Sequence, residues 1–501
     1  MKKILAIFLT AITFTTMAQP GGDRVKKIEA AIPVIDKMFS DFTLQNRLPG
    51  MIYGLVVDGK LVHTLAKGYS DVEKKIVVTT SSEFRIASMT KSFTAMAVLK
   101  LRDEGKLNLD DPISLYIPEM KGQRYLTSDA TPITIRHLMT HAAGFPEDNP
   151  WGDRQLAVSD EEMLRMIKKG ISFSNSPGLY YEYSNMGFAL LGYLIKKVSG
   201  QSYENYITAN ILVPLGMTHT YWEYDKVPAA ALAHGYRRLN NKYVEQPLLL
   251  SGSYGAMGGL ITSIEDFGKY VAFHLSAWPP SDKEETGPVK RSSVREMHHL
   301  WNFNSMQAGF KYASGRACPL ISGYGYGLRI NEDCDNRLII GHSGGLPGFG
   351  SDWKILPDYG IGIISFGNLT YSPNSGINLQ VLDTLVTLAR LKPRPVPVSE
   401  VLNQRKKQLI EILPGWKNAE AVPIFAENFF LDYFPDSLRK QATLIFGHAG
   451  KILRVGEFVA TNNLRGYFIM EGENKNIEVS FTLTPEAVPL IQEYKIWERE
   501  K

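Results

Sequence analysis

Apolar side chains recur at helical spacing through Ile28, Ile32, Ile35, Met38, Phe39 and Phe42, which predicts a helix over residues 28–46 stopped by Pro49-Gly50. Two short apolar runs, Ile52–Val57 and Leu61–Leu65, flank Asp58-Gly59, whose glycine accepts the positive φ of a tight hairpin turn. Helical periodicity takes over at Ser88–Leu101 and dominates as far as Leu275. Within it Ser159 and Glu162 form a capping-box pattern, and Gly170 closes the helix that follows. Strand patterns return at Tyr324–Ile330, Leu338–His342, Trp353–Leu356 and Ile361–Phe366, and a last helix, Ile377–Leu391, would cover one face of the sheet. The sheet is thus assembled from distant parts of the chain. The predicted class is α/β in the broad, α+β sense: an antiparallel sheet flanked by terminal helices, with a mostly helical region inserted between its halves.

Pro393, Pro395 and Pro397 then make a stiff, extended spacer, because each fixes φ and lacks an amide donor. Beyond it come a helical stretch, Val401–Leu413, and β-rich runs at Ala442–Phe446, Arg465–Met470, Ile477–Leu483 and Ile491–Trp497. The division expected is a main domain over residues 19–392, a linker over 393–400 and a small β-rich accessory domain over 401–501. Residues 1–18 stand apart. Lys2 and Lys3 precede an apolar run, Ile4–Phe14, and Thr16-Met17-Ala18 offers small residues where a signal peptidase cuts, the pattern of a cleaved secretory signal. The protein is expected to be exported, periplasmic or secreted, with no transmembrane helix after signal removal.

Composition narrows the partners. A chain of 501 residues with 44% hydrophobic content can build packed cores, which excludes wholesale disorder. Lys and Arg number 55 against 51 Asp and Glu, and no basic run reaches five residues, which argues against nucleic acid. The only cysteines, Cys318 and Cys334, bracket the predicted strand Tyr324–Ile330; export permits a disulfide, strand geometry leaves it open, and no zinc or CxxC spacing is present. No cofactor or metal is expected, the partner is a small-molecule or peptide substrate, and the oligomeric state has no signal.

Ser88-Met89-Thr90-Lys91 opens a long amphipathic helix, so the lysine amine stands one helical turn from the serine hydroxyl. A serine nucleophile needs a base, and a buried lysine near a helix N-terminus has its pKa pushed toward neutrality. The same spacing recurs at Ser351–Lys354 and Ser437–Lys440, where no such helix begins. Tyr183-Ser184-Asn185 precedes another helical run; its tyrosine can relay a proton and its amide can bind a substrate carbonyl. His342-Ser343-Gly344 ends a predicted strand, with His342 and Gly344 on one face and the glycine leaving room for a substrate backbone. His137 and His141 stand four apart on a predicted helix, but the sequence between them lacks the glutamate of a zinc motif and packing is the simpler reading.

In this order the three elements resemble the serine β-lactamase and penicillin-binding-protein superfamily, most closely the branch of class C β-lactamases, D,D-carboxypeptidases, D-aminopeptidases and related esterases. The segment Ile133–Pro146, with Thr140-His141-Ala142-Ala143-Gly144-Phe145-Pro146, Pro214-Leu215-Gly216-Met217-Thr218 and Gly258-Gly259-Leu260 are similar to further landmarks of that branch. The resemblance implies an exported serine hydrolase that cleaves amides or esters through an acyl-enzyme, on D-amino-acid peptides, β-lactams or short esters. It implies Ser88 as nucleophile, Lys91 and Tyr183 sharing proton transfers, Asn185, His342 and Gly344 binding substrate, and the amides of Ser88 and Gly345 as oxyanion hole. His342 stands where the lactamases carry lysine, which lowers the expected hold on a carboxylate. Two alternatives remain: a receptor that is acylated without turnover, and an α/β-hydrolase-type esterase using Ser343 within Gly341-His342-Ser343-Gly344-Gly345.

Overall fold

A computed structural model describes residues 20–501, so the predicted signal segment lies outside the described residues. Helix α1 (Pro20–Gln45) leads into strands β1 (Gly50–Val57) and β2 (Lys60–Asp71), joined by the expected turn with φ of 46° at Asp58 and 82° at Gly59. A short β3 (Ile76–Val77) follows, then helices α2 (Thr90–Asp103), α3 (Asp160–Lys169), α4 (Asn185–Ser199) and α5 (Ile264–Ser276). The chain returns to the sheet through β4 (Asn302–Gln307), β5 (Leu320–Tyr324), β6 (Arg329–Asp333), β7 (Leu338–Leu346), β8 (Phe349–Leu356) and β9 (Ile361–Gly367), and α6 (Asn374–Leu388) follows. The sheet order is β3-β2-β1-β9-β8-β7-β6-β5-β4. Strands from both ends of the chain therefore meet at β1 and β9, with Gly54 opposite Ile364.

Both faces of this sheet are covered, and the period-2 pattern of β1 divides its side chains between them. Met51, Tyr53, Leu55 and Val57 face α1 and α6, beside Phe39 and Leu382. Ile52 and Val56 face the helical insertion, beside Phe93 of α2, Leu191 of α4 and Phe267 of α5. Gly54 is on this second face; a Cβ there would meet Ile264 at 3.0 Å, so the glycine lets α5 lie close. The predicted capping box on α3 is present: the Ser159 hydroxyl accepts from the Glu162 amide and the Glu162 carboxylate accepts from Ser159.

Two predicted strands fold differently. Tyr324–Ile330 is not one strand but the turn of a hairpin, with β5 ending at Tyr324 and β6 beginning at Arg329. The Tyr-Gly-Tyr-Gly alternation imitates a strand, yet Gly327 takes φ +67° and Gly325 abuts the Met297 carbonyl where a Cβ would come within 2.2 Å. Folding back aligns Leu320 with Asp333 and brings Cys318 and Cys334 together as a disulfide, with 5.3 Å between their Cα atoms. Ala442–Phe446 is part of a helix, because Leu438, Ala442, Ile445 and Ala449 all face a core at helical spacing.

The C-terminal segment carries helices α7 (Glu400–Ile412) and α8 (Pro435–Ala449) against a four-stranded antiparallel meander of β10 (Ile452–Asn462), β11 (Arg465–Gly472), β12 (Asn476–Leu483) and β13 (Ile491–Arg499). Its buried cluster, including Leu402, Trp416, Phe429, Phe468 and Phe481, draws only on residues after the prolines. The spacer is fastened at both ends: Arg394 donates to the Pro357 and Leu275 carbonyls, and Val396 pairs with Ala460. Among the described residues no helix is long and apolar enough to cross a membrane.

Candidate active site

Ser88 occupies a single 3-10 turn, Ala87–Met89, that runs directly into α2. The turn is wedged under β7 and β8: Ile86 accepts a hydrogen bond from Ser351 Oγ of β8 at 2.9 Å, and a Cβ on Gly344 of β7 would come within 2.2 Å of the same carbonyl oxygen. Ala87 takes φ +49°, a left-handed conformation unfavourable to a residue with a side chain, which the packing on both sides enforces. Ser88 is thus presented at the floor of a cavity of about 240 Å³, where Tyr183, Arg329, Ser343 and Gly345 also reach the surface.

Lys91 is wholly buried, with Nζ 3.0 Å from Ser88 Oγ, 2.7 Å from Asn185 Oδ1 and 3.1 Å from the Met257 carbonyl. Burial lowers its pKa to about 7; Asp153 and Asp148 oppose that shift and Arg329 adds to it. The amide and carbonyl oxygens can only accept, so in the neutral amine both N–H bonds go to them and the lone pair is left facing Ser88. Asn185 holds this arrangement from the first turn of α4. Its backbone N–H donates to Asp148 at 2.6 Å and its side-chain amide to Asn149 at 3.2 Å. Its polar groups are therefore engaged by protein, and Asn149 lines the cavity in its place.

Tyr183 packs over Lys91, with the amine 4.9 Å from the ring centroid. Burial raises the Tyr183 pKa, against the influence of Arg329 and the Ser88 hydroxyl, so the phenol stays protonated and can act as a donor. His342 is beside it but buried. Nδ1 faces the Ser343 carbonyl at 2.5 Å, which places the proton there, and Nε2 accepts from Tyr324 at 2.8 Å. Burial, with Arg329 and Lys91 nearby, holds its pKa well below the usual imidazole value. His342 is therefore a neutral, buried element of the wall, and Gly344 is buried too, where it gives close approach to the Ile86 carbonyl.

The residues that the sequence did not single out are Asn149, Asp153, Arg329 and Tyr371, all on the cavity surface, where Ser343 also lies. Arg329 had a signal: a charged residue in a run otherwise made of Tyr, Gly, Leu and Ile. It forms no ion pair among the described residues, and its guanidinium lies 5.4 Å from the Tyr183 ring. Ser343 stands in mid-strand opposite Asp352, and β8 follows it, so the strand-to-helix elbow of the α/β-hydrolase reading is absent. The other two Ser-x-x-Lys pairs are unrelated: Lys354 is paired with Asp352 at 2.7 Å, and Ser437 and Lys440 are exposed on α8. His137 and His141 do not share a helix face, since the helix is only Ile135–Met139 and His141 lies beyond it with φ +55°. His141 accepts the Ser184 N–H at 3.1 Å, and its ring lies tilted 4.3 Å from that of Tyr183.

An antiparallel sheet interrupted by a helical insertion, with a lysine-paired serine opening a helix beneath its central strands, is the β-lactamase/transpeptidase fold. Residues 35–386 match the family model described as Beta-lactamase, and the chain belongs to that family. Protein flp of Staphylococcus aureus (strain N315) is 31% identical over 376 residues, 75% of this chain and 70% of that one. Beta-lactamase-like protein 4 of Dictyostelium discoideum is 27% identical over 405 residues, 75% of this chain and 68% of that one. The octameric penicillin-binding protein homologue from Pyrococcus abyssi superposes with a TM-score of 0.58 at 24% identity, over 94% of this chain and 96% of that one, a likeness of fold.

Proposed function

We propose that this chain is a serine hydrolase that cleaves amide or ester bonds through an acyl-enzyme on Ser88. The observation that carries the reading is the buried Lys91 amine, whose two other neighbours are acceptors and whose lone pair faces Ser88 Oγ at 3.0 Å. Ser88 attacks the carbonyl while its proton passes to Lys91. The oxyanion forms between the amides of Ser88 and Gly345, both on the cavity surface. As the C–N or C–O bond breaks, the leaving group takes a proton through Tyr183, which recovers it from Lys91. Water then attacks the ester by the reverse relay and frees Ser88.

Arg329 supports a substrate with a carboxylate on its leaving half, because this permanent cation lies over Tyr183, the donor to that half. It supplies the charge that neutral His342 lacks. A fluorophosphonate probe should label Ser88, labelling should vanish in Ser88→Ala, and intact-mass measurement should show the acyl adduct forming and decaying. Labelling that survives Ser88→Ala and is lost in Ser343→Ala would sink the proposal, and an adduct that never turns over would point to the receptor alternative. Export is part of the proposal, supported by the pattern of residues 1–18 and by a disulfide that needs an oxidising compartment. N-terminal sequencing of the mature protein should begin close to residue 19.

A further inference from the structure

Two aspartates flank the turn that closes the cavity, and they are used differently. Asp148 has both oxygens occupied, accepting from the Asn185 and Met186 amides at 2.6 and 2.9 Å, so it anchors the start of α4. Asp153 has one oxygen occupied, by the Tyr371 hydroxyl at 2.9 Å, and forms no ion pair among the described residues. It is nonetheless 3% exposed and on the cavity surface. Burial raises its pKa to about 6, against the Tyr371 hydrogen bond and the influence of Lys91, so at neutral pH it is an anion with no cation in ion-pair contact. A buried carboxylate with a single hydrogen bond from protein is costly unless a cation arrives with the ligand.

Its position says which part of a ligand would bring that cation. The Tyr371 ring lies over Gly345, with a ring atom 2.7 Å from where a Cβ would be, while its hydroxyl reaches Asp153. Asp153 is thus one phenol ring away from the amide assigned to the oxyanion, where the acyl half of a substrate would be held. A substituent on the carbon next to the attacked carbonyl would point toward it.

We propose that Asp153, held by Tyr371, is a subsite for a protonated amine on the acyl half of the substrate, so that the preferred substrates are short, unblocked peptides or amino-acid amides. This rests on acylation at Ser88 and names the substrate class of that same site. With Arg329 beside Tyr183 on the same cavity wall, the cavity is complementary to a zwitterion: amine on the acyl residue, carboxylate on the leaving residue.

The test compares kcat/KM for alanine p-nitroanilide of each hand, its N-acetyl derivative, propionyl p-nitroanilide and p-nitrophenyl acetate. A charge-assisted hydrogen bond should favour one hand of the free-amine substrate by roughly tenfold or more over the N-acetyl and propionyl compounds. In Asp153→Asn, which keeps an acceptor for Tyr371, that ratio should collapse to within about threefold, whereas a purely tethering role would leave it intact. A wild-type ratio near one, a preference for the N-acetyl compound, or a ratio that survives Asp153→Asn would overturn the proposal. The wild-type panel decides even if the variant does not fold. Turnover of p-nitrophenyl acetate without an amine preference would sink this inference alone; no turnover and no adduct with any substrate would sink the hydrolase reading beneath it.

Discussion

At the residue scale the site turns on the protonation of Lys91. The amine works as a base only when neutral, and its pKa is lowered to about 7 by burial. With a neutral ester, kcat/KM should therefore rise with a midpoint near that value and level off on the alkaline side, since acid protonates the base. A profile flat through neutrality would show that Lys91 is not the titrating base. Lys91→Met should reduce kcat/KM by about 10²–10⁴, the usual range for a lost general base. His342 should add no step to the profile, because burial keeps it neutral well below its ordinary pKa. The phenol of Tyr183, raised by burial, stays protonated over the same range.

At the scale of elements, the position of Ser88 depends on how β7 and β8 lie across the turn before α2. Gly344 and Ser351 both meet the Ile86 carbonyl, the one by having no side chain and the other by hydrogen bonding to it. Gly344→Ala would force a methyl group against that oxygen and against Ser351 Oγ, 2.4 Å from the Cβ position. Overpacking of this kind costs about 1–3 kcal/mol, and here the strain falls on the residue next to Ala87 and Ser88. The variant should show a lowered thermal midpoint and a loss of fluorophosphonate labelling larger than the stability change alone would cause. Unchanged labelling would mean that β7 does not set the position of Ser88.

At the scale of the whole molecule, the buried clusters before and after the proline spacer are separate in sequence, and the spacer is pinned by Arg394 and Val396. We propose that a chain ending at Lys392 folds on its own. It should unfold cooperatively and still be labelled at Ser88, with a modest loss of stability because Arg394 no longer binds the carbonyls of Pro357 and Leu275. Insolubility or a broad, noncooperative transition would reject that division.

The period of the hydrophobic pattern by itself determined α1, the hairpin of β1 and β2, the capped α3 and the return of strands late in the chain, because burial on one face imposes a local repeat on the sequence. The grouping of Ser88 with Lys91 and of Tyr183 with Asn185 was legible too, since each pair lies at or just before the first turn of a helix, where spacing alone brings side chains to one end. Only the tertiary structure decided the rest. It turned Tyr324–Ile330 into a hairpin, joined Cys318 to Cys334, buried His342 and Gly344, and brought Arg329, Asp153 and Tyr371 to the cavity walls. Those residues come from β6, from the turn before α3 and from the loop after β9, so no local repeat connects them. Their charges and hydrogen bonds acquire meaning only when the sheet closes over the helical insertion and removes the water between them.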